Sequence, residues 1–162
     1  MGSTAKILVN EKSYIHILNI IENIQEISKS NNFYFKYVYE TFAEEENYQY
    51  MYIYGCIGNE PIDEDYSELI PFYINDEKYD KNSYNVYNVD KDKKIFFSPI
   101  TIEDFTTDNA SILLKFSYEL LKIYQQAKLY TGSKWLYTLK DLEKIVNTPY
   151  DEYWFSKNPG TI

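Results

Sequence analysis

A chain of 162 residues is long enough to bury a core without staples, and its single cysteine, Cys56, excludes an internal disulfide and a thiolate metal cage. Sixteen lysines, no arginine and twenty-five acidic residues give a net charge of −9. That balance argues against nucleic acid as a partner, because phosphate recognition draws on clustered lysine and arginine.

No apolar run approaches the ~18 residues that span a bilayer, and no leader with charged and apolar regions is legible. A soluble, cytoplasmic protein with no membrane partner is therefore expected. The excess of Ile, Lys, Asn and Tyr without Arg resembles coding in an AT-rich genome, which weakens any functional reading of the missing arginine.

In chain order, Ala5 to Val9 reads as a short strand or extended lead-in, with Asn10 placed to cap a helix. From Glu11 to Lys29 the residues Tyr14, Ile17, Leu18, Ile20, Ile21, Ile24 and Ile27 make one helical stripe, so an amphipathic helix is expected. His16 lies at its edge, a packing position rather than that of a base or ligand. Asn31 and Asn32 break the helix.

The period then changes to two. Phe33 to Phe42 and Tyr48 to Ile57 are rich in aromatic and β-branched residues and predict an antiparallel hairpin across Ala43 to Asn47, whose turn holds Glu44, Glu45 and Glu46. Alternation sets Tyr48, Tyr50, Tyr52, Tyr54 and Cys56 on one face, and Gln49, Met51, Ile53 and Ile57 on the other. Gly58 to Ser67 reads as a loop carrying Asp63, Glu64 and Asp65. Leu69 to Ile74 is a third strand, expected at a sheet edge because Pro71 interrupts it. A second hairpin is expected from Tyr84 to Val89 and Lys94 to Ile100, across Asp90 to Lys93, with Pro99 closing it.

Thr107 to Tyr130 is apolar on two sides and predicts a long buried central helix, capped by Thr107 or Asp108 and closed by Gly132 in the left-handed region. Thr138 to Asp141 resembles a capping box and should start a short helix reaching Asn147, ended by Pro149. The tail beyond concentrates Tyr150, Tyr153, Trp154 and Phe155. These elements predict one α+β domain over residues 1–162. Its antiparallel sheet would have about four to six strands, with an N-terminal helix, a buried central helix and a short C-terminal helix packed mainly on one face.

Catalytic and cofactor signals are scarce. Cys56 sits mid-strand with no helix N-terminus beside it, no glycine-rich phosphate loop is present, and the run Asp63, Glu64, Asp65 with Glu68 lacks the glycine and distal glutamate of a calcium loop. The expectation is a non-enzyme with no cofactor, no metal and no catalytic residue.

What stands out is excess negative charge together with a density of tyrosine. Tyrosine supplies rigid amphipathic contact area, and neighbouring carboxylates can meet the cations of a partner. Immunity proteins that neutralise bacterial toxins share this small, acidic, cytoplasmic character. A binding protein that caps a basic effector or toxin is thus the first reading, with Glu44, Glu45, Glu46, Tyr48, Tyr50, Tyr52, Tyr54, Asp63, Glu64, Asp65, Tyr153 and Trp154 as candidate contacts. A small enzyme or carbohydrate-binding domain with an aromatic cleft is the second reading. A structural subunit, its tyrosine face forming a homo-oligomer, is the third.

Overall fold

The computed structural model describes residues 2–10, 15–43, 49–62, 69–75 and 96–162. Strand β1 (Ser3–Asn10) leads to helix α1 (Ile17–Ser30), followed by β2 (Tyr34–Ala43), β3 (Gln49–Gly58), β4 (Leu69–Asn75) and β5 (Phe96–Phe105). Helix α2 (Ala110–Ile123), the short strands β6 (Lys128–Tyr130) and β7 (Leu136–Tyr137), and helix α3 (Leu139–Val146) complete the order. The strands form one antiparallel, seven-stranded sheet in the order β2-β3-β4-β5-β1-β6-β7. The class is α+β, with more strands than the sequence predicts. The surplus comes from Lys128–Tyr130 and Leu136–Tyr137, too short to show a period.

One face of the sheet carries Ile7, Ile53, Ile57, Ile70, Phe72, Ile74, Ile100 and Ile102, all buried, and the helices pack on it. Helix α1 contributes Ile17, Ile20, Ile21, Ile24 and Ile27. It begins later than its apolar stripe suggests: His16 is the N-cap, exposed, with its Nδ1 accepting from the Leu18 amide at 3.2 Å, so neither Asn10 nor a packing histidine describes that end. Asn31 and Asn32 close it. Asn32 sits at φ 55°, and the Phe33 amide donates back to the Ser28 carbonyl at 2.9 Å, the wrap of a Schellman motif.

Helix α2 is shorter than predicted, because its last apolar residues belong to β6 instead. Asn109, not Thr107 or Asp108, precedes its first turn, and Gly132 (φ 79°) serves the turn between β6 and β7. The buried Asn109 side chain accepts from the Thr106 amide at 2.8 Å and donates to the Leu69 carbonyl at 3.1 Å. Helix α3 starts as the sequence predicts, with the reciprocal box of Thr138 and Asp141. Its Leu142 and Ile145 are buried against α2.

Two prolines depart from their expected roles, because the sheet accommodates each missing amide locally. Pro71 lies in β4, which is interior rather than an edge, but the ladder to β5 begins at Phe72, so at Pro71 no β5 partner needs the missing amide. Pro99 does not close a hairpin. Strand β5 runs through it to Phe105, and the register with β1 slips there by one residue: Ile7 faces Ile100 while Val9 faces Phe97. A bulge absorbs the proline. The first strand of the second predicted hairpin lies outside the described residues.

Aromatic rings tie the layers together. Phe72 stacks on Phe35 at 5.9 Å between centroids and meets Phe116 of α2 at 5.8 Å. Gly55 makes room for it: a Cβ there would lie 2.8 Å from the Phe72 ring. The tail folds back so that the indole of buried Trp154 donates to the Ala110 carbonyl at 3.0 Å and its ring packs edge-on to Tyr137. Tyr137 in turn donates its hydroxyl to the carbonyls of Lys157 (2.6 Å) and Trp154 (3.2 Å).

Neighbouring positions on α2 should give opposite outcomes. Phe116→Asp puts an unpaired charge between sheet and helix and should abolish cooperative unfolding, at a penalty of several kcal/mol against a usual total of about 5–15. Ser117 is also fully buried, and among the described residues its hydroxyl has no hydrogen-bond partner. Ser117→Ala should therefore raise stability by about 1 kcal/mol in denaturant titration, and a loss would show that the hydroxyl is engaged.

Burial pushes the Tyr137 hydroxyl up to about 12 from the ordinary 10.0. In that interval the unfolded chain gives up the proton first, so stability present below pH 10 is lost as pH rises toward 12. Tyr54, Tyr73, Tyr124 and Tyr150 shift the same way and add to the slope. Denaturant midpoints between pH 9 and 12 should fall, and Tyr137→Phe should shallow that fall while lowering stability at neutral pH.

Candidate functional site

The side of the sheet opposite the helices carries what alternation left over. One row crosses all seven strands in register: Val38, Tyr54, Tyr73, Thr101, Lys6, Tyr130 and Leu136. At the β6–β7 end Leu8 is fully buried under Tyr130 and Leu136, so that part is closed by its own side chains. Toward β2 the face is open. Among the described residues no helix lies on it.

Three tyrosines form the centre of the open part. Tyr73 stacks on Tyr52 at 5.4 Å and meets Tyr54 at 5.0 Å in a tilted contact. Tyr54 is 38% exposed, and Val38 beside it 58%. Burial, reinforced by the nearby carboxylate of Glu103, raises the hydroxyl of Tyr73, and burial with Cys56, Glu103 and Asp104 raises that of Tyr54. Both hydroxyls are therefore neutral donors at physiological pH. Asp104 owes its place to a second bulge between β1 and β5, where it adopts φ 50°.

Cys56, on the same face, is half-buried and stands opposite Lys36 in the register. Burial raises its thiol, with Lys36 pulling more weakly the other way. A protonated thiol is a poor nucleophile.

Of the predicted contact residues, Tyr52 and Tyr54 are brought together here. Tyr50 lies in β3 opposite Phe42. Glu44, Glu45, Glu46, Tyr48, Asp63, Glu64 and Asp65 lie outside the described residues, as does Glu68 of the acidic run. The tail pair divides: Tyr153 is 54% exposed, whereas Trp154, at 1%, is core and cannot be a surface contact without unfolding the tail. Tyr73, Glu103 and Asp104 join the site without having been among the predicted contacts. Tyr73 is discoverable from β4 itself, since Pro71, Tyr73 and Asn75 alternate with Ile70, Phe72 and Ile74. Glu103 and Asp104 stay hidden for as long as Pro99 is read as the end of the strand.

The charge on the described part of this face is mixed, with Lys6, Lys36 and Lys128 as well as Glu103 and Asp104. Among the described residues no three side chains of metal-ligating type converge, and no helix is long and apolar enough to cross a membrane. Two shallow grooves of about 290 and 320 Å³ lie elsewhere, along α3 and the tail. No protein-family model, curated protein or solved structure matches the chain, so only its own geometry speaks to function.

The electrostatic link between Glu103 and the tyrosines is measurable. Glu103→Gln should lower the ionisation midpoints of Tyr73 and Tyr54, followed by NMR on ring-labelled tyrosine, and leave Tyr124 unmoved. Unchanged midpoints would place the Glu103 carboxylate away from the cluster.

Proposed function

We propose that this protein is a non-catalytic binding protein of the immunity or inhibitor type, acting in the cytoplasm to cap a basic effector or toxin with the tyrosine face of its sheet. The observation that carries the reading is the Tyr52–Tyr54–Tyr73 cluster on the helix-free side, next to exposed Val38. Rings held against one another lose little entropy on docking, and the Tyr54 hydroxyl, kept neutral by burial, can donate to a partner's carbonyl. A net charge of −9 favours encounter with a cationic surface. The acidic segments Glu44–Glu46 and Asp63–Asp65 belong to this reading as steering charges, and Tyr48, Tyr50 and Tyr153 as further contacts.

Steering charge sets association rate, while buried aromatic anchors set dissociation rate. Surface-based kinetics against the product of the adjoining reading frame, at two salt concentrations, separates the two. Tyr54→Ala should speed dissociation by an amount worth about 2 kcal/mol if it is an anchor. Reversing Glu44, Glu45 and Glu46 should slow association and flatten its salt dependence. Thermal melts confirm folding of each variant, and stable variants that bind like the parent would remove the tyrosine face as the site.

A further inference from the structure

The sheet ends differently on its two sides. Strand β7 closes one side with two residues, Leu136 and Tyr137, an edge too short to recruit another strand. Strand β2 closes the other with ten, paired to β3 through ten successive positions without a register shift, and among the described residues nothing pairs with its outer side. It has no proline, no glycine and no bulge. Tyr34, Tyr37 and Val38 are exposed along it, on both faces. A long, regular edge with apolar side chains is a template for strand addition.

We propose that the occupant is a second copy of this chain, the two β2 strands pairing antiparallel about a two-fold axis at Val38 so that both sheets become one. The strand's own sequence selects this partner and this register. With Val38 facing its symmetry mate, Lys36 of each copy stands opposite Glu40 of the other, Tyr37 opposite Tyr39, Tyr34 opposite Phe42 and Phe35 opposite Thr41. By position in the strand a lysine falls opposite a glutamate twice over, and aromatic positions fall opposite one another. No other antiparallel register does this: centring on Lys36 or on Glu40 sets like against like, and centring on Tyr37 sets Lys36 against Val38. A two-fold axis perpendicular to the sheet also keeps faces matched, so the helix layers of both copies lie on one side. Val38 and Tyr54 of each copy then adjoin the axis on the other.

The inference does not depend on what the tyrosine face binds. Sedimentation velocity of the full chain over a dilution series is the test. The parent should dimerise reversibly. Lys36→Glu and Glu40→Lys should each weaken the dimer by about tenfold or more, since each sets two like-charged pairs across the seam. The double variant K36E/E40K restores opposite signs and should return the dimer close to parent strength. Val38→Lys, at an exposed position, places two cations at the axis and should also give monomer. Melting temperatures establish that each variant is folded, and Val38→Lys stands in for a charge variant that is not. A parent that stays monomeric, single reversals that leave the dimer unchanged, or a double variant that fails to recover would each overturn the proposal.

Discussion

The position of one ring, Phe72, organises this molecule. It projects from β4 over Gly55 of β3, reaches Phe35 of β2, and meets Phe116 of α2 on its other side. Gly55 is thus fixed by space rather than by backbone conformation: any side chain there would displace the ring that joins three strands to the central helix. On the helix side Phe72 is where β4 meets α2; α1 and α3 pack against α2, α1 also lies directly on β2, β3 and β4, and the tail reaches α2 through Trp154.

The same alternation produces the other face. Each residue turned toward the helices in β3 and β4 leaves its neighbour turned away, so Ile53, Ile57, Phe72 and Ile74 on one side entail Tyr52, Tyr54, Cys56 and Tyr73 on the other. Tyrosine suits such a place, since its ring can pack laterally while its hydroxyl stays accessible. The core and the proposed binding surface are two readings of one periodic segment. A change that slips the register by one residue would exchange them, placing hydroxyls in the core and isoleucines in water.

Much of this is legible from the residues. The period-two segments locate β2, β3 and β4, the isoleucine stripe locates α1, and the Thr138 to Asp141 box places the start of α3. The failures have physical causes. Periodicity cannot detect strands of two or three residues, so β6 merges with the preceding helix. Proline is not an absolute stop in a sheet: Pro99 is accommodated by a bulge and Pro71 by the absence of a β5 partner. Trp154 reads as a candidate contact alongside Tyr153 because the tail concentrates aromatic residues. Its indole instead has a specific acceptor at Ala110, forty-four residues earlier, which no local pattern reveals. For the site, alternation identifies Tyr52 and Tyr54, but only the sheet order brings Tyr73 and Glu103 beside them.

The place of β1 has a consequence for the way the chain acquires its structure. The first strand in sequence is an inner strand of the sheet, held between β5 and β6, which begin at Phe96 and Lys128. During synthesis it waits for almost the whole chain, while β2 and β3 can close a local hairpin at once. Loop-closure entropy then weighs on the late step, and topologies with such distant pairings fold slowly. The apolar strand Ala5, Ile7, Leu8, Val9 is exposed throughout that wait. Aggregation and chaperone dependence would therefore originate at the N-terminal strand, which is among the best-buried segments of the finished protein.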